Sequence, residues 1–242
     1  MVAPRVEQSA KSHSLTLYEP LRVDEWTPRH GGGTARWYAA GGTPADCAYL
    51  GIHKLCGRRP DVVLSGINYG SNLGDDVHYS GTVAAAMEAA LQGIPALAVS
   101  LGTGDRDKGD PIWETAGVVA RRVVAAMMAD PLPPNTFLNL NVPGVPLERL
   151  AGVVVCPMGK RYYHPMVKIN QDPRGRAYYW IGGGHDRFEG WDRALDDDEA
   201  PPDDQPLDGW SFERGYATLT PLHPDMTARG SLERVARWKL LG

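Results

Sequence analysis

The 242-residue chain is short of cysteine and of phenylalanine, with three of each. An odd set, Cys47, Cys56 and Cys156, at no zinc-ligand spacing argues against a disulfide framework and a zinc ribbon, and for free thiols in a reducing compartment. No apolar run approaches the roughly 18 residues of a membrane span, and Met1 to Lys11 lacks the apolar centre of a signal peptide. A cytoplasmic protein without a membrane partner is the expectation. Charge of one sign is also lacking: 25 Lys and Arg face 29 Asp and Glu, a net charge of -4, and no basic block is interleaved with aromatics. That argues against a nucleic-acid surface and for a small ligand. Neither a Walker-type phosphate loop nor a Gly-x-Gly-x-x-Gly turn occurs. His-x-x-x-His pairs and Gly-x-Ser-x-Gly elbows are missing too, which removes the helical zinc pair and the α/β-hydrolase nucleophile.

What the chain does have is enough apolar material, 43% of residues, for one sizeable domain. Ser14 to Val23 alternates as a strand and is expected to pair with Arg36 to Ala40 across Gly31-Gly32-Gly33. Thr43-Pro44-Ala45-Asp46 opens a helix with a hydroxyl cap, a proline at the first helical position and an acid that reaches back. That helix is expected to stop near Gly57. The run Asp61 to Leu64 reads as a strand feeding a polar loop from Ser65, followed by a helix over Val83 to Leu91 that ends at Gly93. Further strands are predicted at Ile94 to Ser100 and Thr136 to Val142, around a helix over Ile112 to Met128. Strands alternating with helices predict an α/β fold, a Rossmann-like, mostly parallel sheet flanked by helices.

Beyond about residue 150 the pattern changes to a β-rich extension: a short strand from Val153, Tyr162-Tyr163, and Tyr178-Tyr179-Trp180 around polar turns. The tract Asp196 to Asp208 holds seven acids, without which 25 basic residues would face 22 acidic ones. It reads as a solvated loop. A strand over Ala217 to Leu222 and a helix over Ser231 to Leu241 close the chain.

Ligands of an open parallel sheet bind beyond the carboxyl ends of its strands. Two loops lie there. In Ser65 to Asn72, glycines let backbone approach a ligand while Asn68 and Asn72 offer amide groups. In Tyr79-Ser80-Gly81-Thr82, free N–H groups at a helix start suit phosphate, although a hydroxyl there is equally a plain helix cap. Asp75-Asp76 is the carboxylate pair near these loops, but adjacent side chains on an extended loop point apart, which argues against a metal site. His13 and His78 lie close enough to the loops to watch.

Several strings occur in a characteristic order: Val2-Ala3-Pro4, Gln8-Ser9-Ala10 and His13-Ser14-Leu15-Thr16, Gly42 to Cys47, Ser65 to Gly74, and Tyr79 to Glu88. Asn139 to Pro143 and Gly215 to Leu222 follow. Together they resemble the survival protein E (SurE) family over nearly the whole chain. The resemblance implies a phosphatase, dependent on a divalent cation (magnesium or manganese), acting on nucleoside 5′- and 3′-monophosphates. It also implies a homodimer or homotetramer with exchanged C-terminal elements. In that family two consecutive aspartates of an Asn-Asp-Asp-Gly loop, a serine and an asparagine hold the metal. The serine corresponds to Ser9 and the asparagine to Asn68, whereas the phosphate falls to Asn72, Ser80, Gly81 and Thr82. The aspartate pair, expected upstream of Met1, has no counterpart, so the catalytic residues are not assigned. Ser9 and Asn68 are neutral and would hold Mg²⁺ weakly by themselves. The expectation is a longer natural protein; the alternative is a catalytically inactive nucleotide- or phosphate-binding subunit.

Overall fold

Alternation along buried strands sorts the core into two layers. Every residue of β5 (Ala96–Leu101) and β6 (Phe137–Val142) is buried. Leu97, Val99 and Leu101 join Leu138, Leu140 and Val142 under α3 (Trp113–Ala129), against Ala116, Val119 and Val123. Ala96, Ala98 and Phe137 point the other way, under α2 (Gly81–Leu91), against Val83, Ala86 and Ala90. Strands buried on both sides are what a parallel sheet with helices on both faces requires. The computed structural model describes residues 1–28, 33–103, 110–160, 167–181 and 206–238.

The main sheet runs β4-β5-β6-β10-β7, adding β4 (Val63–Tyr69), β7 (Gly152–Val155) and β10 (Tyr216–Leu222). β4, β5 and β6 are parallel, while β10 is antiparallel to β6 and parallel to β7. The fold is the expected Rossmann-like α/β arrangement. A second sheet, β1-β3-β2, joins β1 (Val2–Pro4) in parallel to β3 (Tyr38–Ala40), with β2 (Val23–Glu25) antiparallel on its far side. Among the described residues β1 and β4 each pair on one side only. Helix α1 (Pro44–Leu50) packs against both β1 and α2 and so ties the two sheets together.

Four expectations need correction. The predicted strand Ser14 to Val23 is not a strand until Val23, because side chains satisfy its backbone. Asp46 accepts from the Thr16 N–H at 2.9 Å, and the Thr43 hydroxyl donates to the Ser14 carbonyl at 2.7 Å. The loop expected from Ser65 is instead the second half of β4. The acidic tract is not solvated at its end: Asp208 is fully buried and opens α4 (Asp208–Glu213), while residues 196–205 lie outside the described set. Among the described residues the terminal helix is only α5 (Leu232–Ala236), and residues 239–242 lie outside them. Gly31-Gly32 and Tyr162-Tyr163 also lie outside the described residues. In the extension, β8 (Val167–Gln171) and β9 (Ala177–Ile181) pair as an antiparallel hairpin with every residue exposed.

The start of α1 is built as its sequence predicts. The Thr43 hydroxyl accepts from the Asp46 N–H at 3.1 Å, and the Asp46 carboxylate accepts from the Thr43 N–H at 2.8 Å. Asp46, 3% exposed, also takes the Thr16 hydroxyl at 2.7 Å. Burial by itself would raise this carboxyl, but the hydrogen bonds from Thr16 and Thr43 outweigh it and hold the group below the usual carboxylate range. A depressed carboxyl adds stability that is complete above the unfolded value of about 3.9 and disappears as pH falls through the folded one. Asp46→Asn should therefore cost about 2 kcal/mol in urea unfolding at neutral pH, with the deficit shrinking below about pH 4.

Candidate active site

One irregularity in β4 sets the geometry. Ser65 is opposite Ala98 of β5, but Asn68 is opposite Ser100, so three steps along β4 match two along β5. This one-residue bulge reverses the alternation. Without it, Asn68 would lie on the opposite face from Ser65; with it, Asn68 shares the α2 face with Ser100, and Tyr69 turns to the α3 side with Leu101. Gly66 carries the bend at φ 119°, and a Cβ there would collide with the Val99 carbonyl oxygen. The Asn68 Nδ2 donates to the Gly70 carbonyl at 2.8 Å, so its Oδ1 is the acceptor end of the side chain.

On that same face the sheet changes from apolar to polar toward the carboxyl ends. Phe137 gives way to Asn139 and Asn141, which lie opposite Thr220 and Thr218 of β10. The loop after β4 is laid across them. The Asn72 N–H donates to Asn141 Oδ1 at 2.7 Å, its Nδ2 donates to the Ser100 hydroxyl at 2.7 Å, and its carbonyl accepts from Nδ2 of both Asn139 and Asn141. One of the two Asn72 amide hydrogens is thus used inside the sheet. Two residues on, the Gly74 N–H donates to Asp208 at 2.8 Å, and that carboxylate also takes the N–H groups of Gly159 and Gly209. Three segments distant in sequence meet on one buried acid.

From Gly74 a short 3₁₀ turn, Gly74–His78, leads to α2. Ser80 caps the helix: its hydroxyl accepts from the Val83 N–H at 3.2 Å, and its carbonyl accepts from the Ala84 N–H. The N–H groups of Gly81 and Thr82 have no acceptor among the described residues. Ser80 is thus a helix cap, as one of the two readings of the sequence has it, and the two first-turn N–H groups beyond it are unpaired among the described residues. A Cβ on Gly81 would press into the Pro44 ring of α1, so a glycine is required there by packing.

The segment carrying Ser9 docks beside this helix start. Ser12 donates from its N–H to the Tyr79 carbonyl at 3.0 Å and from its hydroxyl to the His78 carbonyl at 2.6 Å. Ser9 itself is exposed and donates to the Glu7 carboxylate at 2.6 Å. Of the two histidines watched, His13 reaches Glu88 of α2, whereas His78 is exposed and takes part through its backbone. Asp75 and Asp76 sit on the 3₁₀ turn, and Asp76 is buried. Among the described residues no group of three His, Cys, Asp or Glu side chains converges as a metal cage. Ser9 and Asn68 are neutral donors, so the described residues do not by themselves fit a hard divalent cation. Burial pushes the Cys47 thiol up to about 12 and Cys156 to about 11, while Cys56 is exposed.

Residues 1–165 match the family model described as Survival protein SurE. The chain belongs to the SurE family. It is 47% identical over 238 residues to the 5'-nucleotidase SurE of Geobacter metallireducens, covering 98% of this chain and 85% of that protein. The 5'-nucleotidase SurE of Pelobacter propionicus is 45% identical over 98% of the chain and 87% of its own length. The crystal structure of the SurE protein from Aquifex aeolicus superposes with a TM-score of 0.73 at 35% identity, over 97% of this chain and 86% of that one. No helix among the described residues is long and apolar enough to cross a membrane.

In this SurE chain, the residues that sequence reasoning missed are Ser100, Asn139, Asn141 and Asp208. Two asparagines spaced by two in an otherwise apolar strand was a usable signal, because they must share a buried face. For Asp208 nothing local distinguished it from its acidic neighbours. Gly66→Ala should be destabilising by about 2 kcal/mol or more in thermal or urea unfolding, because both the left-handed φ and the Val99 carbonyl oppose a side chain.

Proposed function

We propose that this chain is a phosphomonoesterase hydrolysing nucleoside 5′- and 3′-monophosphates to nucleoside and phosphate. The observation that carries the reading is the convergence of Asn68, Asn72 and the open N–H groups of Gly81 and Thr82 on one face of the sheet. It occurs in a family whose curated relatives are named 5'-nucleotidases. Gly81 and Thr82 would take two phosphoryl oxygens on the positive end of α2, and the Ser80 hydroxyl, already accepting from Val83, has its own hydrogen to give. Asn72 would add its remaining amide hydrogen. Fixed donors of this kind favour the charge that builds on phosphoryl oxygens during transfer and need no rearrangement to do so.

Members of this family depend on a metal, and magnesium or manganese is the ion proposed here. Ser9 and Asn68 Oδ1 are the neutral ligands proposed for it; among the described residues no group of three His, Cys, Asp or Glu side chains adds the charged ligands such an ion needs. We also propose that the chain forms one domain and assembles as a homodimer or homotetramer. The support is the β8–β9 hairpin, on which Tyr179, Trp180 and Ile181 are 63%, 61% and 93% exposed. A two-stranded hairpin without a packing partner is marginal in water, and a second copy would cover it.

Phosphate release from 5′-AMP and 3′-AMP, with Mg²⁺, with Mn²⁺ and with chelator, tests the activity. Metal-dependent release is the expected result, and AMP binding without turnover would support the inactive subunit instead. Ser80→Ala should lower kcat/KM about tenfold through the lost phosphate donor and cap. Trp180→Lys should shift the sedimentation coefficient toward that of a monomer; an unchanged oligomer would remove the hairpin from the interface.

A further inference from the structure

The loop carrying Ser9 is held in a conformation it would not choose. Ala10 and Ser12 both have positive φ, 57° and 54°, a region that side chains disfavour. Such backbone persists only when its surroundings impose it. Two restraints are the bonds from Ser12 to the backbone of His78 and Tyr79, both at the exposed surface. The third is of a different kind. His13 Nε2 lies 2.9 Å from Glu88 Oε2, and Glu88 is 4% exposed in the middle of α2. The other Glu88 oxygen accepts from Gln92 Nε2 at 3.1 Å within the same helix. His13 is thus the partner that reaches this carboxylate from outside the helix, and a buried carboxylate strongly disfavours losing a donor.

Glu88 lies two turns along from Ser80, on the same helix whose first turn has the unpaired N–H groups of Gly81 and Thr82. The anchor of the Ser9 loop and the phosphate donors are therefore parts of a single body. We propose that His13 and Glu88 are a positioning pair: their bond locks the Ser9 loop against α2 and so fixes the spacing between the metal-side ligand Ser9 and the phosphate-side donors Ser80 to Thr82. Neither residue touches reacting atoms. The pair acts through the loop, and its effect falls on the assembly of the site in addition to the stability that a partnered Glu88 contributes. This inference rests on the phosphatase reading for its kinetic consequence, but not for its structural one.

The test compares His13→Ala and His13→Gln with the unchanged chain. The glutamine amide reaches about as far as the imidazole Nε2 and can still donate to Glu88. Hydrogen exchange reports on the Ser12 amide, which donates to Tyr79, and phosphate release from 5′-AMP with Mn²⁺ reports on the site. In His13→Ala the exchange of Ser12 should quicken by about tenfold or more, at rates well above those of the β5 and β6 amides, and kcat/KM should fall by a similar factor. His13→Gln should restore most of both. Unchanged Ser12 exchange in His13→Ala would overturn the proposal whatever the activity, and so would slowed turnover that glutamine fails to restore. If the unchanged chain releases no phosphate, the nucleotidase reading fails while the exchange measurement still decides the positioning role.

Discussion

The bulge between Ser65 and Asn68 is the constraint on which the rest of the site depends. Parallel strands sort side chains with period two, so an uninterrupted β4 would keep odd-numbered residues on the α2 face as far as Tyr69. The extra residue exchanges the faces once, at the carboxyl end. Asn68 thereby joins Ser100 and the α2 terminus, while Tyr69 passes to the other side, where its ring meets Trp113 at 5.7 Å between centroids. The exchange requires Gly66, because any side chain there meets the Val99 carbonyl. A single backbone feature thus turns Asn68 onto the face where the unbulged strands β5 and β6 present Ser100, Asn139 and Asn141.

That floor is costly to bury and is satisfied only in part, through the backbone and side chain of Asn72, while Asn139 Oδ1 and the Thr218 hydroxyl make no hydrogen bond among the described residues. Asn72 uses its N–H, its carbonyl and one side-chain hydrogen on Asn139, Asn141 and Ser100. Each of these groups, left without a partner, would cost on the order of 1–3 kcal/mol. The network therefore allows one course for the loop and penalises every other, which is how a loop becomes as rigid as the strands beneath it. Asp208 extends the same logic outward, since its carboxylate binds N–H groups from the loop after β4, the turn after β7 and its own helix.

Much of this was legible in the residues, and the exceptions have physical causes. The Thr43-Pro44-Ala45-Asp46 cap, the helices α2 and α3, and strands β5, β6 and β10 follow from local signals that tertiary contacts did not override. Ser14 to Val23 failed because period-two alternation does not reveal that Thr16 and Ser14 bond to the start of α1 rather than to a neighbouring strand. Ser65 to Tyr69 reads as a loop because Ser, Gly and Asn are loop-forming residues, and a bulge with those residues still pairs as a strand. Asp208 failed because its partners are backbone N–H groups, one of them on Gly74, far away in sequence, and no composition rule points to them. The candidate residues Asn68, Ser80, Gly81 and Thr82 were readable as types; only the bulge and the cap explain why they share a face.

Helix α2 gathers these pieces because it is buried nearly all round. Val83, Ala84, Ala85, Ala86, Ala89 and Ala90 are all buried. Small side chains let α1 and the sheet approach it closely, as Gly81 against Pro44 illustrates. A helix clamped on both sides has no freedom to tilt, so the direction of its first-turn N–H groups is set by the core and not by whatever binds there. Glu88 is the exception on this apolar cylinder, a carboxyl group among alanines. Burying it makes sense only if the bond it forms fixes something that packing alone does not, and what it fixes is the strained loop from Ala10 to His13.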